Sequence, residues 1–98
     1  MRKSHNFIIT SGADLEIADA YVYYEFKQLK LGERFLRNLE ECFHAIDTNP
    51  FTYKVEFDDF RQAKINKFPC VVIYKIKGME IIILSVFNTY QNPIKKTK

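Results

Sequence analysis

The sequence predicts one small α+β domain, and three observations support that prediction. Residues 70–76 and 81–87 are strongly β-favouring runs joined by a short segment around Gly78, which is typical of a tight β-hairpin. Apolar residues in the middle third of the chain recur at the spacing of an amphipathic helix. The chain has 98 residues, which suits one domain with one core. We therefore expect residues 1–98 to fold as strand, helix, helix and three strands, with an antiparallel helical hairpin on a curled antiparallel sheet.

The first predicted helix follows a short β-favouring run at residues 7–10. We expect this helix to span residues 13–31, with Thr10, Ser11 or Asp14 as its N-cap. On a helical projection its charged side chains share one narrow stripe with Tyr23: Glu16, Asp19, Lys27 and Lys30. The rest of its surface is apolar on two sides, so the helix must contact more than one neighbour. We expect a protein partner to cover what the fold leaves exposed.

The second predicted helix begins directly after Gly32, which we expect to end the first helix as a C′ residue. Its apolar residues recur at helical spacing on one face: Phe35, Leu36, Leu39, Cys42, Phe43 and Ile46. Asn49-Pro50 ends it, because the residue before a proline disfavours helical backbone. With a single glycine between them, the two helices should form an antiparallel hairpin.

The last third of the chain predicts three strands. Residues 55–65 alternate imperfectly, and we expect one less buried strand with a bulge near Asp58-Asp59. The two following strands are apolar on both faces over part of their length, which is typical of central strands. The helices cover one face of the sheet, so the other face must curl on itself or meet a partner. We expect the basic tail, about residues 91–98, to be mobile.

Composition and motifs limit the chemistry. Net charge is +3, and the longest apolar run is too short for a bilayer, so we expect a cytoplasmic protein that is not bound to membranes. Cys42 and Cys70 lack metal-ligand spacing, and we expect both to be reduced and buried. The acidic group Glu56, Asp58 and Asp59 is read as a solvated turn in preference to a metal cluster. We found no catalytic set and no cofactor motif, so we expect neither metal nor cofactor.

The basic residues Arg61, Lys64 and Lys67 flank the predicted turn before the central hairpin. Such a group would contact phosphates or an acidic protein, or it would serve only as solubility charge. The residues by themselves leave these readings open.

The order of elements and certain short words resemble the RelE/ParE superfamily of toxins from bacterial type II toxin–antitoxin modules. The words are Ala13-Asp14-Leu15-Glu16-Ile17, Tyr23-Tyr24, Leu31-Gly32-Glu33-Arg34-Phe35-Leu36, Asn49-Pro50, Arg61, Phe68-Pro69-Cys70-Val71-Val72-Ile73-Tyr74, Val86-Phe87 and Asn92-Pro93. The resemblance covers nearly the whole chain and lies in the order and spacing of the words. It implies the same fold that the residues predict, a helical hairpin on a curled sheet.

The resemblance implies one of two activities. RelE-like members cleave messenger RNA on the ribosome, using several cations on the sheet and a residue near the C-terminus; here Lys64, Arg61 and Tyr90 would serve. The family's other cation positions hold Gln62 and Val71, so the set is largely missing and RNA cleavage is disfavoured. The chain therefore looks ParE-like, a branch whose members poison DNA gyrase without known hydrolytic chemistry. Such a protein would not be an enzyme, and direct nucleic-acid binding is not expected.

The resemblance also implies partners and surfaces. A small antitoxin would wrap the chain, and we expect Tyr21, Tyr24 and Phe26 to contact it; without the antitoxin the chain would form a homodimer. The residues expected to bind the target are Arg61, Lys64, Lys67, Asn88, Tyr90 and Gln91. Many ParE-like members have His where Asn88 stands and Arg where Gln91 stands. Three hypotheses therefore remain open: the chain binds gyrase, it binds another target, or it is a non-toxic relic that keeps only antitoxin binding. The family role implied is plasmid stabilisation through growth inhibition.

Overall fold

The structure is a computed structural model that describes residues 5–89. Its elements run in the order β1 (Asn6–Ile9), α1 (Ser11–Lys27), α2 (Leu31–Thr48), β2 (Val55–Phe57), β3 (Phe60–Lys64), β4 (Cys70–Lys77) and β5 (Glu80–Asn88). The predicted α+β class is confirmed. The predicted mobility of residues 91–98 concerns a segment outside the described residues.

All five strands belong to one sheet, in the order β1-β5-β4-β3-β2. The pairs β3–β4 and β4–β5 are antiparallel, as predicted, and the additional pair β2–β3 is antiparallel too. The pair β1–β5 is parallel, with Asn6 beside Glu80 and Ile9 beside Ile83. The sheet is therefore mixed, because β1 reaches its neighbour through the helical hairpin and the other strands, and not through a tight turn.

The prediction of one bulged strand over residues 55–65 is wrong. The chain instead turns at Asp58-Asp59 and makes the hairpin β2–β3, with Phe57 beside Phe60. Asp58 takes a left-handed backbone with φ 49°. Aspartate tolerates that region better than most residues do, which makes a tight turn accessible where we expected a bulge.

The N-cap of α1 is one of the three predicted candidates. The Thr10 hydroxyl oxygen accepts a hydrogen bond from the Ala13 N–H at 3.2 Å. The predicted C-terminal end is wrong, because α1 stops at Lys27 and Gly32 lies inside α2. Lys30, with φ 70°, takes the left-handed position that we assigned to glycine.

The central hairpin β4–β5 forms as predicted, and Gly78 at φ +63° closes it. Its register shifts once: Ile73 pairs with Ser85 and Tyr74 with Ile83, which leaves Leu84 as an extra residue in β5. The core lies between this sheet and the helices, and its fully buried side chains include Phe35, Ile46, Val72, Tyr74, Ile81 and Ile83. Both cysteines are free and buried, as expected. None of the helices among residues 5–89 is long and apolar enough to cross a membrane.

Candidate functional site

One end of the sheet gathers several residues that the sequence singled out. Lys64 is the last residue of β3, Lys67 lies in the β3–β4 turn, and both residues are exposed. The last residue of β5, Asn88, pairs with Cys70 at the start of β4. The Thr89 N–H donates to the Pro69 carbonyl at 2.7 Å and ties the end of β5 to this turn. Tyr90 and Gln91 lie outside the described residues.

Asn88 is not a surface group at this end, since its side chain is buried. Its Nδ2 donates to the Tyr24 hydroxyl oxygen at 2.9 Å, and the same hydroxyl lies 3.5 Å from the Cys70 sulfur. Burial, followed by the contact with Cys70, raises the pKa of Tyr24 well above its ordinary value. Burial also raises the pKa of the Cys70 thiol, so this cluster is a neutral hydrogen-bonded link between α1 and the sheet.

Arg61 does not join the lysines. Its Nη1 donates to the Tyr53 carbonyl at 2.6 Å, and its guanidinium lies 5.2 Å from the Phe51 ring centroid. Successive side chains of a strand point to opposite faces, so Arg61 and Lys64 leave β3 on opposite sides. Arg61 thus fixes the segment that follows α2, and the structure does not bring together the pair that RNA cleavage would need.

The residues that lie beside Lys64 on the neighbouring strands are apolar. Lys64 pairs with Val71 on β4, and Val71 pairs with Phe87 on β5. The Lys64 ammonium donates to the Phe68 carbonyl at 3.3 Å. Val71 and Phe87 are both buried, so a phosphate beside Lys64 would meet hydrocarbon across the next two strands. This arrangement offers little stabilisation to the charge that develops during phosphodiester cleavage.

A second surface runs along the outside of α1. Its apolar side chains are strongly exposed: Leu15 by 67%, Val22 by 49%, Phe26 by 88% and Leu29, just beyond the helix, by 76%. Ala18 is also exposed and falls between Leu15 and Val22. We call these five residues the α1 stripe.

The predicted antitoxin contacts divide across α1. Phe26 belongs to the α1 stripe, whereas Tyr24 is 5% exposed and lies in the core. Tyr21 is half-buried, and its carbonyl faces Gly32 of α2. Of the α1 stripe, sequence reasoning chose only Phe26 as a partner contact and missed its neighbours. The signal was available, because a helix that is apolar on two sides can bury only one of them on a single sheet.

The comparisons with known proteins agree with this fold. The family model for the ParE toxin of the type II toxin–antitoxin system parDE matches residues 7–93, and the chain therefore belongs to the ParE toxin family. Among solved structures, the chain is similar to one from the chromosomal ParDE toxin–antitoxin system of P. aeruginosa, with a TM-score of 0.76 and 16% identity. That alignment covers 87% of this chain and 96% of the other. No curated protein matches significantly.

Proposed function

We propose that this ParE-family toxin acts in the cytoplasm by binding a macromolecular target such as DNA gyrase, and that a small cognate antitoxin silences it. The observation that carries the proposal is the family match over residues 7–93. Lys64, Val71 and Phe87 lie side by side on β3, β4 and β5. The middle position holds Val71 and not a cation, which favours target binding over RNA cleavage. Growth inhibition and plasmid stabilisation would follow from this role.

The target-binding surface that we propose is the end of the sheet at the β3–β4 turn. Lys64 and Lys67 supply exposed positive charge there, and Tyr90 and Gln91 continue the chain from Thr89. The buried Asn88 would not touch the target but would support this surface by holding β5 against Tyr24 of α1. Arg61 is proposed to position the segment after α2 and thereby the start of β3.

The antitoxin surface that we propose is the α1 stripe, with Tyr21 at its border. An amphipathic antitoxin segment would bury these apolar side chains, and Tyr24 would contribute by anchoring α1 to the sheet. An exposed apolar surface of this kind marks a protein–protein interaction site when it exceeds a few hundred Å². In the absence of antitoxin, the same surface would support a homodimer.

The test is induction of the chain alone in a bacterium, followed by measurement of growth, DNA-damage response and messenger RNA integrity. We expect growth arrest with a DNA-damage response and intact messages. The variant Lys64→Ala, Lys67→Ala should be at least tenfold less toxic, whereas Lys54→Ala, which removes an exposed lysine before β2, should match the parent. Arrest with cleaved messages would support the nuclease alternative, and absence of arrest would support the relic.

A further inference from the structure

A groove of about 1100 Å³ is formed by the end of β1, the first part of α1 and one side of α2. Its residues on α2 run from Glu33 to Asp47, which is about 21 Å of helix at about 1.5 Å per residue. Sites for small molecules have about 300–1,000 Å³, so this groove is long and large enough for a peptide segment. No residue of the α1 stripe is among the described residues that line it.

Apolar side chains from all three elements line the groove. Ile9 of β1 is 41% exposed, and Leu36 of α2 is 38% exposed. Ile17 of α1 and Phe43 of α2 also line it and are half-buried. The fold therefore leaves one apolar surface partly open to water, and a segment that covered it would gain free energy from the hydrophobic effect.

The charged residues around these apolar side chains are mainly acidic. Four exposed carboxylates line the groove: Asp14, Glu33, Glu40 and Glu41. A fifth, Asp47, is buried and accepts a hydrogen bond from the His5 N–H at 2.9 Å. The described residues that line the groove include two basic ones, Arg37 and His44. The groove is thus negatively charged, although the chain as a whole carries +3.

This charge selects the kind of occupant. A negative surface disfavours nucleic acid, anionic lipid and acidic protein segments, because like charges repel at close range. A basic amphipathic helix has the complementary pattern, with apolar side chains on one face and lysine or arginine beside them. Its apolar face would cover Ile9, Ile17 and Leu36, and its cations would lie beside the four exposed carboxylates.

We propose that this groove binds a basic amphipathic helical segment of a partner protein. The apolar contact supplies affinity, and the carboxylates decide which segment binds and in which orientation. The groove is separate from the surfaces proposed above for the antitoxin and the target. The proposal therefore goes beyond the proposed function and does not depend on it.

The first test is the binding of a synthetic peptide to the purified full-length chain, followed by fluorescence anisotropy. The peptide has about 14 residues, or about four helical turns, with leucines at helical spacing flanked by lysines. We expect saturable binding that weakens as NaCl is raised, because salt screens exposed charges. The same peptide with glutamate in place of lysine should bind about tenfold more weakly or worse. A peptide of the same composition with scrambled leucine positions should also bind more weakly, since it has no apolar face.

Charge-reversed variants locate the site on the protein. Glu40→Lys combined with Glu41→Lys should lower the affinity for the lysine peptide by about tenfold or more. The matched control is Glu56→Lys combined with Asp59→Lys, which changes net charge equally at exposed positions of the β2–β3 hairpin. This control should bind within about twofold of the parent, because screening limits the reach of exposed charges. Circular dichroism spectra should be unchanged in both.

Apolar variants distinguish the groove from the α1 stripe. Leu36→Ser removes an exposed apolar side chain of the groove and should weaken peptide binding several-fold. Phe26→Ser removes the most exposed side chain of the α1 stripe and should bind the peptide like the parent. Loss of binding with Phe26→Ser would assign the peptide to the stripe and would overturn the proposal.

Equal affinity for the lysine and glutamate peptides, or equal losses in the two double variants, would also overturn it. A second copy in the groove would give a mass in light scattering that falls to the single chain's when Glu40 and Glu41 are reversed. The chain's own basic residues in the groove would give tighter peptide binding after Lys95→Gln, Lys96→Gln and Lys98→Gln. Either result would overturn the partner protein as occupant. All measurements use purified chain, so they stand apart from the outcome of the toxicity test.

Discussion

Gly32 shows how a single residue sets the distance between the two helices. A Cβ atom at this position would lie 2.7 Å from the Tyr21 carbonyl oxygen of α1. The Gly32 N–H also donates to the Glu25 carboxylate at 2.9 Å, and the same carboxylate accepts from the Lys30 N–H at 2.8 Å. Glu25 therefore caps the start of α2 from the neighbouring helix, and glycine is what allows the two helices to approach this closely.

We predict that Gly32→Ala destabilises the protein by about 1–3 kcal/mol, because the new methyl group meets backbone that has to shift. Urea unfolding followed by circular dichroism measures this change. Gly12→Ala is the matched control, since it lies in α1 with nothing within 4 Å of its Cβ position. That variant should be neutral or stabilised by up to about 1 kcal/mol, as helix propensity favours alanine. Equal stabilities for the two variants would contradict the close approach at Gly32.

At the scale of elements, Glu16 joins α1 to β5. Glu16 belongs to the narrow charged stripe that the sequence predicts on α1, and its Oε1 accepts from the Ser85 hydroxyl at 2.8 Å and from the Val86 N–H at 2.9 Å. The contact lies just after the extra residue Leu84 of β5, where β1 has ended and cannot supply a partner. A side chain of the helix thus completes the hydrogen bonding that the sheet leaves open.

We predict that Glu16→Ala costs about 1–3 kcal/mol of unfolding free energy, since it removes the acceptor of a partly buried N–H. Glu16→Gln keeps an amide oxygen at the same place and should cost less. Asp19→Ala removes an exposed carboxylate from the same helix and should change stability by less than about 0.5 kcal/mol. If Glu16→Ala lowers the free energy of unfolding no more than Asp19→Ala does, the hydrogen bonds from Glu16 to β5 contribute nothing to stability.

At the scale of the whole molecule, folding raises the pKa of several buried thiols and phenols. Burial raises the pKa of Cys42 from its ordinary 9.0 to about 11. Burial likewise raises the pKa of Tyr74 from 10.0 to about 12, although the nearby Arg61 lowers it in part. The Tyr74 hydroxyl donates to the Pro50 carbonyl at 2.7 Å, and this bond needs the neutral phenol. These groups therefore remain protonated in the folded chain at pH values where the unfolded chain has begun to lose those protons.

Stability should accordingly be highest below about pH 9 and decline from there to about pH 12, because the unfolded state releases these protons first. Urea midpoints at several pH values from 8 to 11 measure the decline. Cys42→Ala removes one contributing group, so its midpoint should fall less steeply over the same interval. A midpoint that stays level, or that rises, would contradict the buried neutral state of these groups.

The sequence by itself determined the elements whose evidence is local. The hairpin from Phe68 to Phe87 follows from two β-favouring runs around Gly78, and the buried face of α2 follows from the spacing of Phe35, Leu39, Cys42 and Ile46. Periodicity reports which side of an element is apolar, and it needs no knowledge of neighbours. The short words along the chain further placed it in the family that the comparison with known proteins confirms.

Only the tertiary structure decided where the functional candidates lie. Asn88 and Tyr24 are 64 positions apart in the chain and hydrogen-bond in the core, and Arg61 turns away from Lys64 to hold Tyr53. The parallel pairing of β1 with β5 likewise depends on how the helical hairpin closes. Local pattern distinguishes polar from apolar positions, but it cannot tell which polar side chain will find a partner far along the chain. For that reason the sequence showed that α1 is apolar on two sides, and only the fold showed that the side with Phe26 stays exposed while Tyr24 is buried in the core.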